Sequence, residues 1–100
     1  MNILFEIKYT IKEEKREDYL ALLLKIIAYY KKDGIDRYMV FEDSRKKNDF
    51  TEIFLFSSES DFEKFEENAT EEINDMLSLL VSEMVVDRKI KYKTKREVAG

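Results

Sequence analysis

From Ile3 to Lys12 apolar and polar residues alternate, with Ile3, Phe5, Ile7, Tyr9 and Ile11 set against Glu6, Lys8, Thr10 and Lys12. That is the period of a strand with one buried face. Charged residues 12 to 18 lead into Tyr19–Tyr30, where Leu20, Leu23, Leu24, Ile27 and Tyr30 recur at helical spacing. Leu22, Ile26 and Tyr29 form a second stripe beside them, so this helix carries more apolar surface than one sheet face requires. Lys31-Lys32-Asp33-Gly34 closes it, with cations near the negative end of the dipole and a glycine able to take the left-handed conformation of a C-terminal cap. Ile35 to Asp43 reads as a second strand, with Ile35, Arg37, Met39 and Phe41 in one row and Asp36, Tyr38, Val40 and Glu42 in the other. The polar run 43–49 has hairpin length, so Phe50 to Ser57 returns antiparallel. In that third strand Phe50, Glu52, Phe54 and Phe56 share one side, while Ile53 and Leu55 occupy the other. Both sides are apolar, and both require cover.

A second helix begins near Ser58, with Ser60 and Glu63 spaced as a capping box. Phe62, Phe65, Ala69, Ile73, Met76, Leu77, Leu80 and Met84 carry it forward at helical spacing. Asn68-Ala69-Thr70 offers a break, with Thr70 as a new cap. Asp87 to Glu97 alternates Lys89, Lys91, Lys93 and Lys95 with Ile90, Tyr92 and Thr94, the pattern of an edge strand whose charges discourage stray pairing. The order βαββαβ predicts a single α+β domain over residues 1–100, the ferredoxin-like arrangement. It places a four-stranded antiparallel sheet, with the first and third strands central, under two helices on one face. The other face then exposes a row of the third strand, and a second copy of the chain is its simplest cover. A homodimer is expected.

Composition narrows the chemistry. The chain has no cysteine and no histidine, which removes thiolate nucleophiles, thiolate zinc sites, and the commonest general base and haem ligand. No metal site is expected. Its only glycines are Gly34 and Gly100, so a glycine-rich phosphate loop is absent. The formal charge is -4, unsuited to holding polyphosphate. Eight acids and one base lie between Glu59 and Asp75, and six bases with no acid between Arg88 and Arg96; both runs read as solvated faces. The start of the chain meets Glu6 before any long apolar run, and no stretch reaches the length of a membrane span. No membrane partner is expected, and the expected address is the cytoplasm.

The chain resembles the antibiotic biosynthesis monooxygenase-like domains of the dimeric α/β-barrel superfamily. Gly34-Ile35-Asp36-Arg37-Tyr38 is similar to the glycine and aromatic that open strand two in those proteins. Asp43 to Asp49 resembles their hairpin, and Phe56-Ser57-Ser58-Glu59-Ser60-Asp61-Phe62 their exit from strand three into helix two. Many members carry a glutamate and a histidine at positions that align with Phe54 and Phe65 here. A carboxylate and an imidazole can share protons or bind metal, whereas two phenyl rings pack or stack. The resemblance therefore implies an apolar pocket and no cofactor. Cofactor-free oxygenases of this superfamily activate O2 through the substrate's own carbanion or radical, and a polar group must stabilise the substrate anion. Tyr9, Arg37 and Tyr38 are the strand residues able to do so, as phenol donors or a guanidinium.

The ligand-binding candidates are thus Tyr9, Arg37, Tyr38, Phe54 and Phe65. Glu6 and Glu52 lie on the two central strands. Close together they would bind a cation or hold a proton; otherwise Lys8 or Arg37 would pair with them. The same element order occurs in RNA-recognition domains, but Phe50-Thr51-Glu52-Ile53-Phe54-Leu55-Phe56 lacks the basic residue and glycine that open that signature. No nucleic-acid partner is expected. The resulting expectation is a homodimeric α/β barrel that binds a small apolar or aromatic molecule, with cofactor-independent monooxygenation as the activity the resemblance implies. The alternative is a non-catalytic structural or regulatory dimer in which Phe54 and Phe65 fill the core.

Overall fold

A computed structural model describes residues 1–100. Its strands are β1 (Ile3–Thr10), β2 (Tyr38–Glu42), β3 (Asp49–Phe56) and β4 (Lys91–Arg96), and its helices α1 (Arg16–Lys32), α2 (Glu59–Glu67) and α3 (Glu71–Leu79). The sheet order is β2-β3-β1-β4, antiparallel throughout. This is the ferredoxin-like α+β fold, with β1 and β3 central. No helix is long and apolar enough to cross a membrane.

Register assigns the faces. Phe5 lies opposite Phe54, Ile7 opposite Glu52 and Tyr9 opposite Phe50, so the odd residues of β1 and the even residues of β3 share one side. The helices pack there: Phe62 and Phe65 of α2 meet Phe56 at 5.5 and 5.1 Å between ring centroids, and Tyr30 of α1 meets Phe54 at 5.1 Å. Leu4, Met39, Phe41, Ile53 and Leu55 point to the open side, with Phe41 52% exposed. The row expected to need outside cover is therefore Ile53 and Leu55, not the phenylalanines.

Helix α1 buries Tyr19, Leu22, Leu23, Ile26 and Tyr30, which turns it relative to the stripe expected from spacing. Leu22 and Ile26, from the second stripe, face the sheet, and Leu24 is 70% exposed. Two tyrosines set this rotation. The Tyr19 hydroxyl lies 2.8 Å from that of Tyr9, and its ring sits 4.5 Å from Phe50, while Tyr30 seats on Phe54 and Tyr38 at the other end. At the end of α1, Gly34 takes φ 84° and its N–H reaches the Lys31 carbonyl, the left-handed cap expected.

The second helical segment is divided. Thr70 Oγ1 accepts the Ile73 N–H and starts α3, as the Asn68-Ala69-Thr70 break allows. The cap of α2 is Ser58, which accepts from Asp61 N at 3.1 Å, in place of the expected Ser60 box. Ser58 is the residue still in extended backbone, the conformation a cap requires. After α3 a π-helical turn, Leu80–Met84, leads into a reversal in which Asp87 and Arg88 both adopt positive φ. That reversal delays β4 to Lys91. Strand β2 likewise starts at Tyr38, although the carbonyl of Arg37 still accepts from Leu55 N at 3.0 Å.

Candidate functional site

Between the sheet and the helix layer lies a cavity of ≈ 250 Å³, with twelve hydrophobic residues among the 16 that line it. Phe5 and Ile7 of β1 form its floor together with Glu52 of β3. Phe65 of α2 and Ile73 of α3 form its roof, and Tyr92 of β4, 63% exposed, stands at its edge. The break between α2 and α3 makes this space: Asn68 and Ala69 line it where a continuous helix would have carried side chains across the sheet. The volume lies just below the usual range for drug-sized ligand sites, enough for a molecule of one or two rings.

Glu52 is the feature that stands out in this setting. It alternates with Phe50, Phe54 and Phe56, so strand geometry commits it to the buried face, where it is 2% exposed. Its Oε1 accepts the Tyr38 hydroxyl at 2.5 Å, and no cation pairs with it. Burial pushes its carboxyl above the ordinary glutamate range, opposed by hydrogen bonds from the hydroxyls of Tyr38 and Tyr9. The phenols around it respond in kind. Tyr9, Tyr19, Tyr30 and Tyr38 are all raised, first by burial and then mainly by the nearby Glu52 charge, except that at Tyr19 the Tyr9 hydrogen bond opposes the rise. They stay protonated and serve as donors, while burial makes Glu52 keep its proton to higher pH than an ordinary glutamate.

The five residues singled out from sequence fall in different places. Phe65 lines the cavity. Tyr38 stands one hydrogen bond behind it, through Glu52. Phe54 is fully buried, packed against Tyr38, Phe65 and Tyr30 at 4.6, 4.9 and 5.1 Å, and supports the wall without lining it. Tyr9 shares its hydroxyl with Tyr19. Arg37 lies outside the cavity lining, its guanidinium 3.5 Å from Asn2 Oδ1.

Glu6 and Glu52 do not meet. Adjacent residues of β1 point to opposite faces, and because Ile7 is the partner of Glu52, Glu6 projects to the open side. There it lies 3.7 Å from Lys8 and 3.5 Å from Lys95, so Lys8 is the pairing partner foreseen and Arg37 is not. No three Asp or Glu side chains converge as a metal site. Asp33, Glu66, Tyr29 and Tyr30 also line the cavity and were not among the candidates from sequence. They sit at helix ends, whose meeting depends on how α1 and α2 dock. Glu52 did leave a signal, as the single charge in a row of three phenylalanines.

In sequence, no family model matches the chain and no curated protein matches it. In three dimensions it shares the fold of solved antibiotic biosynthesis monooxygenase-like proteins. A conserved protein from Methanosarcina mazei Go1 superimposes with a TM-score of 0.81 at 17% identity, over 98% of this chain and 94% of the other. A structure described as antibiotic biosynthesis monooxygenase gives 0.79 at 15% identity, over 97% and 99%. SnoaB, a cofactor-independent oxygenase from Streptomyces nogalater, gives 0.74 at 9% identity, over 99% and 95%. At such identities the likeness is one of fold.

Proposed function

We propose that the chain binds a small, largely aromatic molecule between its sheet and its helices, and that Glu52 exchanges a proton with it. The observation that carries this reading is a lone carboxyl, almost wholly buried and without a cationic partner, on the wall of an apolar cavity. A carboxyl there costs stability, and such groups concentrate where proton transfer is needed.

The activity this favours is oxygenation without a cofactor. Ionised Glu52 takes a proton from an acidic methylene of the substrate; the carbanion joins O2 to form a peroxide anion, which takes that proton back from Glu52 and then loses water to leave a carbonyl. One oxygen atom enters the product and the other leaves as water, with the methylene supplying the electrons. Tyr38 holds the carboxyl in place. The fold shared with a cofactor-independent oxygenase supports the reading. The Leu4, Met39, Phe41, Ile53 and Leu55 face supports a homodimer, in which a second copy covers those side chains.

2-Indanone, a bicyclic ketone whose benzylic methylene is acidic yet stays protonated in neutral water, is a direct probe. With chelator present, it should perturb NMR signals of Phe65, Ile73 and Tyr92 and consume oxygen. Glu52→Gln should keep those perturbations while slowing oxygen uptake by about a hundredfold. Perturbations confined to the open sheet face, or unchanged uptake in the variant, would refute the respective half of the proposal.

A further inference from the structure

The charged residues that line the cavity are Asp33, Glu52 and Glu66, all acids, and no lysine or arginine joins them. None of the three takes part in an ion pair. Glu52 is at the floor, whereas Asp33 and Glu66 are solvent-exposed and belong to the rim. Each rim acid stands at a helix C-terminus: Asp33 is the C-terminal cap of α1, and Glu66 lies in the last turn of α2. The backbone dipole already makes those ends negative, so acids there work against helix stability. Lys31, Lys32 and Lys64 follow the usual preference in the same turns, yet none of them lines the cavity. Two helix ends and two acids thus concentrate negative potential on one opening, beside the rings of Tyr29 and Tyr92.

Building on the cavity reading above, we propose that its ligand carries a protonated amine, held at the rim by Asp33 and Glu66 beside Tyr29 and Tyr92, with the apolar body inside. An ammonium gains from the carboxylates and from the ring faces together. A carboxylate or phosphate ligand meets like charge at every ionised position of the lining. The groups around Glu52 agree with this choice. Tyr38 of β2, Tyr9 of β1, and Tyr19 and Tyr30 of α1 face it, and none bears a positive charge. Nothing at the floor therefore repels a cation.

A matched series tests the proposal: naphthylmethylammonium, naphthylmethanol and naphthylacetate, titrated calorimetrically at low salt. The ammonium compound should bind at least about tenfold more tightly than the carboxylate, and several-fold more tightly than the alcohol. In the double variant Asp33→Asn/Glu66→Gln, both sites being exposed, the advantage over the alcohol should disappear while the alcohol's own affinity holds. If the alcohol binds and the ammonium gains nothing, the amine proposal fails and the cavity reading survives. Persistence of the advantage in the double variant would overturn the assignment to the rim acids. Binding by none of the three would end both readings.

Discussion

Tyr38 and Glu52 are diagonal neighbours on adjacent strands, and the phenol donates to the carboxyl at 2.5 Å. The pairing follows from register: Tyr38 lies opposite Phe54 and Val40 opposite Glu52, which puts both side chains on the helix side two residues apart, within reach of long groups. Removing the phenol tests its role as a positioning residue. Tyr38→Phe should raise the Glu52 carboxyl further, since this hydrogen bond is the largest influence holding it down. The pH at which ligand affinity or turnover changes should move upward. Loss of a partner for a buried acceptor should also cost about 1–3 kcal/mol. Carboxyl titration followed by NMR would check the shift, and an unmoved midpoint would refute the role.

Glu52 itself gives stability an unusual pH dependence. Its folded-state affinity for the proton exceeds the unfolded one, so above the ordinary glutamate value the unfolded chain binds fewer protons than the folded chain. Stability therefore falls as pH rises from that value towards the raised one. Glu52→Gln should remove the decline, giving a higher Tm than the parent at pH 8 and a difference that closes near pH 4. Thermal unfolding across that interval measures it. A parent and variant that track each other throughout would mean the carboxyl carries no such penalty.

Glu42 titrates the opposite way. Its carboxylate takes a two-pronged hydrogen bond from Arg16 at 2.6 and 3.0 Å and the Asn48 N–H at 2.8 Å, and these, Arg16 first, hold it down at about 2. A depressed folded value contributes stability above the unfolded pKa, lost as pH falls towards 2. The contact joins the first turn of α1 to the β2–β3 hairpin at the protein surface, where solvent weakens it. Glu42→Gln should lower Tm modestly at pH 7 and have no effect near pH 2. Equal deficits at both pH values would point to lost packing instead of lost charge.

The open sheet face makes a prediction about assembly. Ile53 and Leu55 sit at its centre on β3, next to Leu4 of β1 and Met39 of β2. Leu55→Asp would bury a lone carboxylate in any face-to-face dimer, weakening it by about a hundredfold or more. Sedimentation should show dimers for the parent at micromolar concentration and monomers for the variant. A well-folded parent monomer under those conditions would exclude a second copy as the cover.

What was legible in the sequence follows from period and parity. Alternation in residues 3–11 and 50–56 carried the strands and their two rows, because side chains along a strand have no freedom to choose sides, and the element order put β1 and β3 at the centre. Helix α1 was harder: Leu20, Leu22, Leu23, Leu24, Ile26 and Ile27 are apolar almost all round, so spacing alone left its rotation open, and Tyr19 and Tyr30 decided it through partners remote in the chain. The site depended still more on docking. Tyr38 and Phe65 were found as isolated residues, but the carboxyl between sheet and helices was weighed as a partner for Glu6, which register places on the opposite face, or for Lys8 or Arg37, neither of which pairs with it.

Phe54 and Phe65, both ligand-binding candidates from sequence, separate into two roles. Phe54 is fully buried between Tyr30, Tyr38 and Phe65, so Phe54→Ala leaves a void with no water to fill it and should cost about 3–5 kcal/mol. Phe65 is half-buried and already borders empty space, so the same truncation enlarges an existing cavity and should cost clearly less. Ligand binding should respond in the reverse order. Phe65→Ala removes a wall and changes which probe sizes are accepted, while Phe54→Leu, made to preserve the fold, should leave that selectivity unchanged. Denaturant unfolding with a graded series of one- to three-ring aromatics measures both effects. Equal stability losses and an unaltered size preference would place Phe65 in the core with Phe54, as a non-catalytic dimer requires.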